Sequence, residues 1–260
     1  MAAGRADLVL IGYGVGDQLQ LTVQSSRALA RIGRAYVLGL PPNLAAYLRS
    51  IRVEAIDLVA RLPPEQDAAT AYLSIAEAVL QAVADDPPIA LIAPGNPLLS
   101  NAVSRFLIIK ARERKIGVQV LPAVSPIDAF ITASGLDVGS FGLQIFDARR
   151  FVAGRRSPDP GVPLLLLQVG GLAATPGIWP GSVSEADLQP LADVLSAVYP
   201  GDHPVVHLAN DAASVQSVGR VPLSGVSKLA PAVRGDSMLF LDLLRRVTAE
   251  PRGRGSEGSR

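Results

Sequence analysis

Through its first half the sequence alternates short apolar runs with longer segments of helical period, a pattern that few architectures accommodate. The apolar runs predict strands at ADLVLIG, RAYVLGL, PIALIAPGNP and VQVLPAVSP. The segments between them predict helices at LTVQSSRALARIG, PNLAAYLRSI, Ala68 to Ala84, and SNAVSRFLIIKARERKIG. Regular alternation of this kind is typical of a mostly parallel sheet covered by helices.

The second half has a different texture. Strands are predicted at FGLQIFDA, VPLLLLQVG, HPVVHLA, SVGRVPLSGV and DSMLFLDLL, with one clear helix from Glu185 to Tyr199 and an irregular loop at RRFVAGRRSPDPG. Because strands outnumber helices here, we expect a mixed, partly antiparallel sheet. We therefore predict two α/β domains, 1–121 and 122–249, which join near Leu121 to Ser125 and hold a ligand between them.

Composition excludes several classes of function. The 24 basic and 23 acidic residues nearly cancel, which argues against a nucleic-acid partner. There is no cysteine and there are only two histidines, so we expect no metal. The apolar stretch at the start, within MAAGRADLVLIG, is too short for the core of a signal peptide. No run reaches the roughly 20 apolar residues of a membrane span. We expect a cytoplasmic protein with no membrane contact and a disordered tail at 250–260.

A cluster of glycines, Gly12, Gly14 and Gly16, follows the first predicted strand. A dinucleotide-binding fold would place an acidic residue about 20 positions later. No Asp or Glu occurs from Gln18 through Val53, and no Gly-Lys-Ser/Thr triplet marks a phosphate-binding P-loop. The cluster is then a turn that lets a ligand or the other domain approach the backbone closely. A tight turn with no ligand is the alternative.

Several motifs in this order resemble those of the tetrapyrrole methylase superfamily, the class III S-adenosylmethionine methyltransferases. GYGVGD followed by Leu21 and Thr22 resembles the opening signature, PGNPLL the second glycine loop, and LPAVSPIDA the start of the second domain. Further stretches resemble the borosin peptide-backbone N-methyltransferases within that superfamily: ASGLDVGSFGLQIFDARRF, LLLLQVGG, DHPVVHLA and, more loosely, LDLLRRV. The resemblance covers roughly Leu8 to Val247.

The resemblance implies a two-domain tetrapyrrole-methylase-like fold, a homodimer, and S-adenosylmethionine bound in a folded shape between the domains. Besides the three glycines, the positions that match cofactor contacts in the family are Asn96, Leu99, Ser100, Ser125, Gln168, Leu208, Ser237 and Met238. Most of these residues would act through backbone groups, so their side chains are weakly constrained.

The sequence departs from the borosin pattern at the positions that would contact the methyl acceptor. Borosin enzymes bring tyrosines and an arginine to a weakly acidic backbone amide, and the matching positions here hold Leu62, Ala68, Pro94 and Asn96, with only Tyr72 retained. Apolar groups cannot stabilise an amidate. We therefore predict a methyltransferase whose small-molecule or peptide acceptor is already nucleophilic. A catalytically quiet cofactor-binding or partner-binding relative is the alternative, and porphyrinoid methylation is a third hypothesis.

Two side chains are predicted to be catalytic, each with a structural alternative. Tyr72 lies on the apolar face of its predicted helix with Ile75, Val79 and Val83, where a tyrosine also serves as packed core. His207 lies between Val206 and Leu208 in a predicted strand, as a base or as a buried, hydrogen-bonded histidine.

Other polar positions carry weaker hypotheses. Asp17 is predicted to cap the first helix, and Asp128 to start the helix after Ser125. Trp179 lies in the turn-rich GIWPG and is either a lid or acceptor contact or ordinary surface packing. Three charged residues at the end of a predicted strand would recognise an anionic acceptor or form a solvated loop: Asp147, Arg149 and Arg150.

Overall fold

The computed structural model describes residues 6–16, 20–63, 67–173, 182–210 and 215–244. Within these ranges the chain forms two five-stranded sheets, each packed against helices. We call the first sheet and its helices the N-terminal lobe, and the second sheet and its helices the C-terminal lobe. The predicted domain boundary after Leu121 remains a prediction.

The N-terminal lobe is built on a fully parallel sheet. Its strands are β1 (Leu8–Gly12), β2 (Arg34–Val37), β3 (Glu54–Asp57), β4 (Ile89–Ala93) and β5 (Val118–Leu121). They lie in the order β3-β2-β4-β1-β5, and every pairing is parallel. The predicted parallel sheet is therefore confirmed, and the most apolar runs, β1 and β4, lie next to each other near its centre.

Helices cover both faces of this sheet. They are α1 (Val23–Leu29), α2 (Pro42–Ser50), α3 (Ala68–Asp85) and α4 (Ala102–Glu113). Leu10 packs with α3 and α4 in one buried cluster, and its neighbour Ile11 packs with α1 and α2 in another. Strands buried on both faces need continuous apolar sequence, which explains why β1 and β4 read as unbroken hydrophobic runs.

The C-terminal lobe mixes strands and helices. Its elements are α5 (Pro126–Ser134), α6 (Val138–Phe141), β6 (Gln144–Asp147), α7 (Ala148–Ala153), β7 (Leu164–Leu167), α8 (Glu185–Ser196), β8 (Pro204–Asn210), β9 (Val215–Pro222) and β10 (Met238–Leu241). The strand order is β6-β7-β10-β8-β9, in which β6 and β7 are parallel and the other pairs antiparallel. The predicted mixed sheet is confirmed.

Alternate leucines of β7 supply two separate cores. Leu164 and Leu166 pack in the cluster that includes α7 and α8. Leu165 and Leu167 point the other way and pack with Phe130 of α5. Side chains alternate across a strand, so a run of four leucines is fully buried only when both faces of the sheet are covered.

Three sequence predictions for the second half were wrong. RRFVAGRRSPDPG begins with α7 rather than an irregular loop, because the Asp147 carboxylate accepts a hydrogen bond from the Arg150 amide and starts the helix. SVGRVPLSGV is a strand only to Pro222, after which Leu223–Ala232 forms a 3₁₀ segment. The expectation of a single clear helix missed α6 and α7, which have four and six residues and so make fewer than two turns each.

The predicted helix caps need one correction. α1 begins at Val23, and its cap is Thr22, whose side chain accepts a hydrogen bond from the Ser25 amide. Asp17 precedes this helix by several residues and lies outside the described part of the chain, as does the tail at 250–260. Asp128 does stabilise the start of α5, as the third residue of a capping box whose cap is Ser125. No helix within the described ranges is long and apolar enough to cross a membrane.

Candidate active-site cleft

A cleft of about 1300 Å³ separates the two lobes. From the N-terminal lobe it is lined by the loops that follow β1, β2 and β4, and from the C-terminal lobe by the ends of β6 and β7. These are the carboxyl ends of parallel strands, where open α/β sheets present loops to ligands. The cleft therefore lies where the sequence placed a ligand site, between the two halves.

The two glycine turns are joined to each other at the floor of this cleft. The Gly95 amide donates a hydrogen bond of 2.8 Å to the Gly14 carbonyl. Both residues have left-handed backbone, with φ of +101° at Gly14 and +62° at Gly95, a region that disfavours side chains. Gly16, at φ +70°, also lines the cleft.

Gly12 has a packing role instead. A Cβ built at Gly12 would stand 2.2 Å from the Gly95 carbonyl oxygen and 2.9 Å from the Ala123 Cβ, distances that no side chain tolerates. Gly12 is fully packed in β1 and is not among the residues that line the cleft. Its absent side chain lets the second glycine turn approach the end of β1.

A hydrogen bond crosses the cleft between two of the predicted cofactor positions. The Gln168 side-chain amide of the C-terminal lobe donates to the Ser100 carbonyl of the N-terminal lobe over 3.3 Å. Both residues have left-handed backbone, with φ of +55° and +48°. Non-glycine residues in this region are strained, and such strain is concentrated at ligand sites.

Other predicted cofactor positions also line the cleft, together with backbone that the sequence did not reveal. Asn96, Leu99 and Met238 are wall residues. Gly39, after β2, and Gly171, after β7, are wall residues too, and a Cβ at either would meet no protein atom within 4 Å. Bare backbone therefore faces open space from both lobes, which suits a ligand bound through main-chain groups. Gly39 was detectable only as the glycine in VLGLPP.

Four predicted site residues lie behind the wall. Ser125 is buried, and its hydroxyl donates to the Asp128 carboxylate over 2.6 Å. Leu208 packs in the same core cluster as Met238, while Ser237 and His207 are completely buried. None of the four is among the cleft-lining residues, so only backbone contact or an indirect role is open to them.

His207 bonds to Ser237 in this layer. The His207 Nε2 and Ser237 Oγ atoms lie 2.9 Å apart, and Ser237 Oγ also accepts a hydrogen bond from the Arg234 amide. Burial lowers the pKa of His207, and the positive charge of Arg234 lowers it further, so the imidazole is neutral at pH 7. With no exposed surface and a partner on Nε2, His207 holds the loop before β10 rather than meeting an acceptor directly.

Tyr72 does line the cleft, from α3. Burial raises the pKa of its hydroxyl, the Arg149 guanidinium acts in the opposite direction, and the Asp147 carboxylate raises it again. The two charged groups belong to the C-terminal lobe, so Tyr72 faces them across the cleft. Ala68, Pro94 and Asn96, which stand at the altered borosin positions, are in the same wall, whereas Leu62 packs against the N-terminal core.

The cleft is also rich in charged side chains. Arg149, Arg150 and Asp147, which the sequence singled out, are in its wall, and three further charged residues were missed: Arg105, Arg156 and Asp236. They were missed because they come from separate elements. No group of three or more His, Cys, Asp or Glu side chains in the described ranges is placed to hold a metal ion. Trp179 lies outside these ranges, so its predicted lid role remains a prediction.

A family model matches this chain from residue 7 to residue 226, across both lobes and the cleft. Its description is tetrapyrrole (corrin/porphyrin) methylases. The chain belongs to the tetrapyrrole methylase family. The resemblance predicted from the glycine turns and the motifs after them is thereby confirmed at the level of the family.

Curated relatives with similar sequence include fungal borosin proteins. A methyltransferase and type III borosin cyclic peptide precursor from Anomoporia bombycina is 24% identical over 200 residues, which are 77% of this chain and 23% of that protein. A type I borosin counterpart from Serendipita vermifera subsp. bescii is 24% identical over 204 residues, 78% of this chain and 49% of the relative. This chain thus spans between about a quarter and half of the relatives' length.

Solved tetrapyrrole methyltransferases share the fold. A uroporphyrin-III-C-methyltransferase from Thermus thermophilus matches with a TM-score of 0.61 and 16% identity, covering 91% of this chain and 92% of that one. A further structure of that enzyme, complexed with S-adenosyl homocysteine, has a TM-score of 0.60. Cobalt precorrin-4 methyltransferase has a TM-score of 0.61 and 14% identity, covering 90% of this chain and 94% of that one. The predicted two-domain tetrapyrrole-methylase fold is confirmed.

Proposed function

We propose that this chain is an S-adenosylmethionine-dependent methyltransferase whose cofactor binds in the cleft between the lobes. The observation that carries this proposal is the pair of left-handed glycine turns, bonded from Gly95 to Gly14, at the floor of the cleft. Family membership and a structural neighbour complexed with S-adenosyl homocysteine support it. When bound, S-adenosylmethionine supplies an electrophilic methyl group.

The residues that would hold the cofactor come from both lobes. Gly39 and Gly171 offer bare backbone to the space between them, and Asn96, Leu99 and Met238 supply the wall. A nucleoside with a charged amino-acid end needs both hydrogen-bonding backbone and apolar surface, and ligand pockets commonly combine the two. The proposed fit depends on main chain that faces the cleft rather than on particular side chains.

Tyr72 is the residue best placed to assist the acceptor. Its raised pKa keeps the hydroxyl protonated at pH 7, so it acts as a hydrogen-bond donor that orients an acceptor rather than as a base. An acceptor that is already nucleophilic needs such positioning more than it needs proton removal. Both peptide and small-molecule acceptors are consistent with the relatives, whose names include borosin peptide precursors and tetrapyrrole methyltransferases. The comparisons give no support to the alternative of a catalytically quiet relative.

Calorimetry tests cofactor binding. Titration with S-adenosylmethionine and with S-adenosyl homocysteine should show binding of both. Gln168→Ala should weaken each about tenfold, or about 1.4 kcal/mol, because it removes the cross-cleft bond to Ser100. Gln189→Ala is the matched control, since Gln189 is exposed on α8, where its side-chain amide donates to Asp193 of the same helix. Absence of binding at millimolar concentration, or equal effects of the two variants, would contradict the proposal.

Methyl transfer is tested with a labelled methyl donor added to the protein and an extract of its source cells. We expect label to enter a compound only when active protein is present, and separation by size assigns that compound to peptides or small molecules. Tyr72→Phe should reduce labelling while its affinity for S-adenosyl homocysteine stays unchanged. Labelling that proceeds equally without the protein would refute turnover.

A further inference from the structure

Four arginines of the cleft form an unneutralised positive surface. Arg149 and Arg150 lie on α7, Arg156 follows that helix, and Arg105 lies on α4 in the opposite lobe. All four are exposed. The ion pairs found within the described ranges involve other cations, Arg34, Lys110 and Arg114, so the cleft arginines have no carboxylate partner there.

The two acidic residues of the wall are already engaged. An Asp147 carboxylate oxygen accepts the Arg150 amide at the start of α7. An Asp236 carboxylate oxygen accepts from the Asn210 side chain over 2.7 Å. Arg149 is held in place by a hydrogen bond of 2.8 Å from its Nε to the Gly171 carbonyl, which leaves the rest of its guanidinium available. The cleft wall therefore holds four arginines and two aspartates, which give it a net positive charge.

One of these arginines, Arg149, lies close to the residue proposed to orient the acceptor. Arg149 interacts electrostatically with the Tyr72 hydroxyl, and Tyr72 is the retained acceptor-side residue. Apolar wall surface from Val59, Ala68 and Phe146 accompanies the charges. The cleft volume exceeds what one drug-sized ligand fills, about 300–1000 Å³, so it has room for an extended acceptor beside a cofactor.

We infer that the acceptor is a peptide segment that carries carboxylate side chains next to apolar ones, bound through the arginines of α7 and the residues around Tyr72. This inference rests on the proposed methyltransferase function. Guanidinium groups bind carboxylates by charge-assisted and often bidentate hydrogen bonds, and an extended peptide presents charged and apolar side chains on alternate sides. An acidic acceptor accounts for arginines that the rest of the described chain leaves unpaired.

The test uses the full chain and two rhodamine-labelled synthetic peptides. One alternates Asp or Glu with Val and Leu, and the other replaces each acid by its amide. Fluorescence anisotropy at an ionic strength of about 0.15 M, with S-adenosyl homocysteine present, should show the acidic peptide binding about tenfold more tightly than the amide peptide. Replacement of both Arg150 and Arg156 by Gln should remove that difference, because it removes two of the cleft's positive charges. Neither side chain forms a hydrogen bond or ion pair within the described ranges, so we expect the variant to fold.

The control variant replaces Arg112 and Arg155 by Gln. It loses the same charge from exposed positions outside the cleft wall and should keep the preference for the acidic peptide. Equal binding of the two peptides to the unaltered protein, or equal loss in both variants, would overturn the inference. Arginine-dependent binding of uroporphyrin without binding of the acidic peptide would overturn it as well, in favour of a small polycarboxylate.

The two proposals fail in different ways. If S-adenosyl homocysteine does not bind by calorimetry while the acidic peptide still binds in an arginine-dependent manner, the methyltransferase function fails and the anion site stands. If S-adenosyl homocysteine binds and the peptides are not distinguished, the acidic acceptor fails and the methyltransferase proposal stands.

Discussion

His207 shows how a residue with catalytic potential becomes structural. His207 lies behind the cleft wall, where burial keeps the imidazole uncharged and its Nε2 atom is hydrogen-bonded to Ser237. Nδ1 has no hydrogen-bond partner among the described residues. The sequence indicated a histidine in a buried strand, but not which face of that strand it lies on. The pairing of β8 with β10 fixes the face. Leu239 lies directly opposite His207, and paired residues point to the same side of the sheet.

The lowered pKa of His207 predicts a pH-dependent stability. An unfolded histidine titrates near 6.5, whereas the buried residue resists protonation, so the unfolded state binds more protons as the pH falls below that value. We expect the free energy of unfolding in urea to decrease from pH 7.5 to 5.5, by up to about 1.4 kcal/mol per pH unit for one such group. His207→Gln should reduce this slope. His203, whose pKa burial also lowers, should contribute to the slope that remains.

Gly12 gives a second test at a single residue. Gly12→Ala should lower the free energy of unfolding by about 1–3 kcal/mol, because the new Cβ would overlap the Gly95 carbonyl. The control is Gly33→Ala, where a Cβ meets nothing within 4 Å. Urea titration of both variants measures the difference. Equal stability of the two variants would show that β1 and the second glycine turn are not packed as described.

At the level of elements, two helices begin with capping boxes of the same composition, so their variants distinguish an effect on stability from an effect on binding. Ser125 with Asp128 starts α5, and Ser184 with Asp187 starts α8. α5 begins with Pro126, which lines the cleft and lies beside Gly95, whereas α8 packs in the C-terminal core.

Ser125→Ala and Ser184→Ala should each lower the free energy of unfolding by about 1 kcal/mol, the usual effect of losing a cap. Only Ser125→Ala should also weaken binding of S-adenosyl homocysteine, because it releases the cleft-lining end of α5. Thermal unfolding and calorimetry measure the two effects. Unchanged binding in Ser125→Ala would show that Ser125 only caps α5 and does not support the cofactor site.

Helices and strands were predictable from the sequence where their burial requires a long, regular pattern of apolar residues. β1 and β4 are buried on both faces and read as continuous apolar runs, and α3 repeats Ile75, Val79 and Val83 along one face. α7 was not predictable, because its six residues begin at an aspartate cap and make fewer than two turns. The cleft charges were missed for another reason. Arg105 and Arg149 line the same cleft only because the two lobes lie on either side of it.

At the level of the whole molecule, the fold survives with little sequence identity. Neighbours at 14–16% identity cover at least 90% of the chain, so the shared information is the order of buried strands and the turns that join them. In this chain the two glycine turns are bonded from Gly95 to Gly14, whereas Ala68 and Pro94 in the cleft wall differ from the borosin pattern. One fold can therefore support different acceptors, because function depends on the residues of the site rather than on the fold.

Hydrogen–deuterium exchange with and without saturating S-adenosyl homocysteine tests the shared cleft most directly, because it reports both lobes in one experiment. We predict slower amide exchange at 38–40, 95–103 and 168–171, the backbone that faces the cleft from the two lobes. Exchange in α8 and at the α1 surface should not change. Protection confined to one lobe, protection far from the cleft, or none at all would contradict a cofactor site between the lobes.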